Sequence, residues 1–102
     1  MKYINYEDTY VLRLEKGEEV VESIKKLCKE EKILLAEITG LGAANLVEIG
    51  LFNVNTDASN QVKGGHLVRA NISATGEIFI RKIAGEVGRR FDEEIGLNLL
   101  DI

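Results

Sequence analysis

Apolar and polar positions first alternate over residues 9–14, "TYVLRL", with Tyr10, Leu12 and Leu14 on one side and Val11 and Arg13 on the other. A period of two marks a strand with one buried face. After Gly17 the period lengthens, and Val20, Val21, Ile24, Leu27 and Cys28 recur at helical spacing. They predict one long amphipathic helix over about residues 18–32. Glu18 and Glu19 at its start and Lys29 and Lys32 at its end suit the helix dipole, and Glu22 and Lys26 stand one turn apart. "ILLAEITG", residues 33–40, follows with almost no loop and reads as a buried strand. "GLGA", residues 40–43, reads as a glycine bend; it lacks the later glycine of a dinucleotide fingerprint and the lysine of a phosphate loop. "NLVEIGLFN", residues 45–53, alternates again, with Val47, Ile49 and Leu51 opposite Leu46, Glu48 and Phe52.

Residues 54–65 are small and polar and predict a loop. "HLVRANISATGEIFIRKI" then carries two strand signals, with Val68, Ala70, Ile72 and Ala74 on one face and Gly76 marking a bulge or bend. The tail ends in apolar Phe91, Ile95, Leu97, Leu99 and Leu100, which must dock on their own chain or a neighbour. No repeat or linker interrupts the chain. Strands with one clear helix predict a single α+β domain over residues 1–102, a mainly antiparallel sheet packed with that helix.

Composition narrows the partners. One domain of 102 residues, 45% hydrophobic, can bury one modest core. No segment approaches the roughly 18 consecutive apolar residues of a membrane span, so no membrane partner is expected. The opening residues lack the apolar core of a signal peptide, and Cys28 alone cannot form an internal disulfide. A cytoplasmic address is the expectation. Thirteen basic and seventeen acidic side chains give a net charge of −4. Phosphate neutralisation needs a basic footprint, which this balance does not supply overall.

His66, the single histidine, follows Gly64 and Gly65 at the start of a strand. Imidazole is a good metal ligand and a good base near neutral pH. A zinc site needs three or four protein ligands, and one histidine with one distant cysteine cannot supply them. Asp57 and Glu77 are carboxylates that no spacing rule selects. Ser73 and Thr75 fit ordinary strand positions, and Cys28 sits on the apolar helix face. Arg89 and Arg90 could meet phosphate, but Asp92, Glu93 and Glu94 follow at once and favour local neutralisation. No catalytic set assembles from these residues.

Three blocks, taken in order, resemble the plants-and-prokaryotes-conserved (PPC) domain family in its bacterial and archaeal single-domain form. They are "TYVLRLEKGEEVVESIKKLCKEEKILLAEITGLGAANLVEIGLF", "VKGGHLVRANISATGEIFI" and "GEVGRRFDEEIGLNLLDI". The resemblance implies a mainly antiparallel α+β fold assembled as a trimer, in a family often labelled DNA-binding. This chain has no proline and therefore no Arg-Gly-Arg-Pro hook for the minor groove. The family's block of inner strands, with two histidines one residue apart, has no counterpart here. The resemblance thus places an internal deletion near residues 53–54 and leaves His66 as the remnant of a three-histidine metal site. Zinc would need ligands from other chains, and no cofactor is otherwise expected. Lost inner strands would expose sheet edges and apolar surface, which favours a homo-oligomer, a trimer first, with strand exchange as one route.

Three functions follow as expectations. The first is a non-enzymatic PPC-domain assembly protein with a DNA-binding or regulatory role, DNA being a candidate partner. The second is a metal-dependent small-molecule enzyme related to acetolactate decarboxylase, inactivated by the loss of two of three metal histidines. The third is a shortened structural variant without independent activity, and Phe91, Ile95, Leu97, Leu99 and Leu100 are its candidate oligomer interface as well.

Overall fold

A computed structural model describes residues 1–50 and 64–102. The position read as an internal gap, near residues 53–54, and Asp57 lie outside the described residues, as does most of the loop expected over 54–65.

The first alternating segment forms β2 (Thr9–Glu15), and Tyr10, Leu12 and Leu14 are its buried side. β1 (Lys2–Tyr6) precedes it as an antiparallel partner, joined by a two-residue turn in which Glu7 takes φ 53°. β1 escaped the hydrophobic pattern because all five of its residues are exposed, so no buried face imposes a period of two. Backbone pairing with β2 sets its place, and the Tyr3 hydroxyl donates to Glu31 at 2.7 Å.

The predicted helix is real but short: α1 spans Val20–Glu30, 11 residues, and is not a long helix. Glu19 caps its start, so residue 18 falls outside. At the other end Lys32 adopts φ 54°. That left-handed residue stops the helix and returns Ile33 to the core. Leu27 is fully buried, while Val20, Ile24 and Cys28 pack at the core's margin. Glu22 pairs with Lys25 at 3.7 Å rather than with Lys26.

β3 (Ala36–Gly50) and β4 (His66–Lys82) are single long strands where the pattern predicted several short ones. They pair antiparallel, and the sheet order is β1-β2-β4-β3. Residues 33–35 precede the strand rather than begin it, and β3 is largely exposed, not buried. The expected bend at residues 40–43 is instead strand, and its glycines serve close approach. A Cβ on Gly42 would lie 2.6 Å from the Thr75 carbonyl oxygen and 2.9 Å from the Gly76 Cα. Opposite, the register jumps: Gly42 pairs with Gly76 and Ala44 with Ile72, so three β4 residues face one of β3. This bulge bends β4 without ending it, and the Ile72 side chain lies over Gly76. Ala70 and Ile72 are buried as expected, but Val68 and Ala74 are exposed. Val68 stands at another register shift on the outlying part of the β3–β4 ribbon, and Ala74 lies inside the bulge.

The core sits between α1 and one face of β2 and β4, and comprises Tyr10, Leu12, Leu14, Leu27, Ile33, Ile72, Ile78 and Ile80. α1 packs on β4 and leaves β3 uncovered. The tail forms a separate hairpin of β5 (Arg89–Asp92) and β6 (Leu97–Leu100) with its own two-stranded ladder. The Cα radius of gyration is 15.5 Å. A closely packed domain of about 100 residues has about 13 Å.

Candidate functional site

Two places collect the residues singled out by the sequence: a cleft beside His66, and an apolar groove beside α1. His66 opens β4 opposite Gly50. The cleft is about 370 Å³, and Arg89, Phe91, Gly96, Leu97 and Asn98 line it with His66. The structure therefore brings His66 to the C-terminal hairpin. Among the described residues, no three histidine, cysteine, aspartate or glutamate side chains converge to hold a metal ion. Glu77 lies near the other end of β4, opposite Arg13 and Leu41. Cys28 is half-buried on α1, and burial pushes its thiol up, away from the reactive thiolate.

Hairpin geometry settles where the two adjacent arginines point. Arg89 donates to the Asn98 carbonyl oxygen at 3.1 Å, and Arg90 pairs with Asp101 at 3.7 Å. Arg90 thus finds its counter-charge across the hairpin rather than in the acidic run that follows, and Arg89 is held by a neutral carbonyl. Asp92 is occupied instead in the turn, where it accepts from the Ile95 N–H at 2.9 Å. The other arginines are engaged too: Arg13 with Glu15 at 3.2 Å, Arg69 with Glu48 at 3.1 Å, and Arg81 with Glu37. These exposed pairs contribute little stability, but they divide the surface into mixed-sign patches.

The second place is a groove of about 260 Å³ whose lining includes Val20 and Ile24 of α1, Ile38, Leu41 and Ala44 of β3, and Leu67 of β4. Among the described residues, no charged side chain lines it. It exists because α1 is too short and too far over β4 to cover the edge strand. Phe91, Ile95 and Leu100 of the hairpin are likewise more than half exposed, while Leu97 and Leu99 are half-buried.

Glu19 does more than complement the helix dipole. Its carboxylate accepts from the N–H groups of Val21 (2.8 Å), Glu22 (3.0 Å) and Ala70 (2.9 Å). Burial pushes this carboxyl up, but the N–H donors together outweigh it and hold it below the ordinary carboxylate range. Glutamate is an unusual cap, and its link to Ala70, far along the chain, has no local sequence signal.

With this geometry in hand, the family can be named. The model of the Plants and Prokaryotes Conserved (PCC) domain, also abbreviated PPC, matches residues 1–59, more than half of the chain. The chain belongs to the PPC domain family. Two solved structures share the fold. A "putative DNA binding protein" from Bacteroides thetaiotaomicron has a TM-score of 0.80 at 19% identity, covering 98% of this chain and 96% of its own. A "putative DNA-binding protein" from Ralstonia eutropha has a TM-score of 0.83 at 20% identity, covering 99% and 96%. No curated protein matches the chain. The PPC fold is thus confirmed as an antiparallel α+β sheet with one helix, and no helix among the described residues is long and apolar enough to cross a membrane.

Proposed function

We propose that this PPC chain is a non-enzymatic assembly module with a DNA-associated role exercised by its homo-oligomer. The observation that carries the assembly reading is the apolar surface that its own core leaves uncovered. That surface lies along the groove and on a hairpin whose ladder is its own. Monomeric soluble proteins rarely expose contiguous apolar patches of this kind without a partner. Family membership and the description of both structural neighbours support the DNA part. The chain's net charge of −4 and its engaged arginines limit what one copy can offer to phosphates. DNA affinity is therefore assigned to the oligomer, which repeats any local basic feature around a symmetry axis.

Light scattering on the purified chain tests assembly, and a trimer is the expected species. A stable monomer at micromolar concentration would overturn this reading. A gel-shift series with duplex DNA at rising salt tests the second part. Retardation that weakens with salt is expected of the oligomer; none at low salt would remove DNA while leaving assembly standing.

A further inference from the structure

We infer that the contact between copies is heterologous: the C-terminal hairpin of one chain fills the apolar groove between α1 and β3 of the next. This inference rests on the assembly reading above and specifies the surfaces that carry it.

The hairpin cannot stand by itself. Its two strands have four residues each and pair with no other strand among the described residues, and an isolated two-stranded hairpin is marginal in water. Apolar side chains emerge on both of its faces. The register puts Phe91 and Leu100 on one face and Leu97 and Leu99 on the other. A ribbon apolar on both sides needs cover on both sides. Leu97 and Leu99 are already half-buried, whereas Phe91, which lines the open cleft at His66, and Leu100 stay more than half exposed.

The matching surface is the groove. Its large exposed residues, Ile38, Leu41 and Leu67, are 47, 77 and 44% exposed; Phe91, Ile95 and Leu100 of the hairpin are 58, 60 and 53% exposed. At roughly 100 Å² each, these six side chains offer about 600 Å² of apolar area. Interfaces are about 60% apolar, so the whole contact is on the order of 1,000 Å², the size at which association becomes specific.

The same chain's hairpin is on the wrong side to fill its own groove. Leu67 lines the groove and His66 the hairpin cleft, and successive strand residues point to opposite faces. A second copy has no such restriction. Groove and hairpin are different surfaces, so each copy uses one of each, and a rotation that closes makes a ring. A trimer is such a ring.

Complementation tests this directly. Phe91→Asp disables the hairpin and Leu41→Asp disables the groove; both residues are exposed, so circular dichroism should show each variant folded. Light scattering should find wild type oligomeric and each variant monomeric. Mixing the two variants should yield a heterodimer, because one intact hairpin and one intact groove remain. Oligomeric variants, or monomeric variants that fail to combine, would overturn the inference and leave assembly through another surface. A monomeric wild type would instead overturn the assembly reading itself. Should either variant misfold, Leu41→Cys with Phe91→Cys in a Cys28→Ser background keeps the question open to test. Interchain disulfide joining positions 41 and 91, mapped by peptide analysis, supports the contact, and its absence in an oligomeric sample rejects it.

Discussion

Glu19 ties three backbone N–H groups to one carboxylate and so joins the start of α1 to β4. Removing it would leave the Ala70 N–H without this partner as well as uncapping the helix. Glu19→Ala should therefore cost about 1–2 kcal/mol in denaturant unfolding, more than a cap alone. Its depressed carboxyl also sets a pH dependence. The stabilisation is present above the ordinary glutamate range and is lost as pH falls through the lower folded value. Acid unfolding of wild type should thus steepen below about pH 4, and Glu19→Gln should flatten that limb. His66 makes a contrasting case at the same scale. Arg89 lines its cleft, and a guanidinium there disfavours a bound metal cation. Metal analysis of the purified protein should find well under one zinc per chain. Stoichiometric zinc that disappears in His66→Ala would show that neighbouring chains complete a site.

The long β3–β4 ribbon depends on close backbone approach at the Gly42–Gly76 pair. A side chain at Gly42 would meet backbone atoms of β4, which cannot move aside like a flexible side chain. Gly42→Ala should destabilise by about 1–3 kcal/mol, and Gly42→Val by more, in the same unfolding measurement. Gly64, with open space around its missing Cβ, is the control for the loss of a glycine in itself. Much of the sheet was legible as apolar alternation, since Tyr10, Leu12 and Leu14 of β2 and Ala70 and Ile72 of β4 keep their faces to the core. Its continuity was not. Glycine at residues 40 and 42 signals a turn or a close approach equally well, and only the partner strand distinguishes them. The helix is shorter than its pattern predicts for a related reason. Its charged flanks fit the dipole, but capping by Glu19 and the left-handed Lys32 cut it to 11 residues.

At the scale of the molecule, the chain is spread: a core under α1, a ribbon beyond it, and a hairpin apart. Folding it alone leaves Leu41 77% and Ile102 97% exposed, which costs solubility unless other copies cover such surface. Assembly and stability should therefore be linked. The thermal midpoint should rise with protein concentration, as it does when only the folded state associates. A midpoint that stays constant over a hundredfold range would show that association contributes nothing to the fold.

The sequence by itself determined the core faces and the α+β class, because buried side chains impose periods of two and 3.6 on the elements that carry them, and it carried the family through the resemblance of its blocks. It also marked Phe91, Ile95, Leu97, Leu99 and Leu100 as residues in search of a surface. Tertiary structure alone decided which strands were continuous, where Glu19 reached across to β4, and that His66 shares a cleft with Arg89 and the hairpin. Those outcomes depend on backbone pairing and on contacts between residues distant in the chain. Neither leaves a period in the sequence.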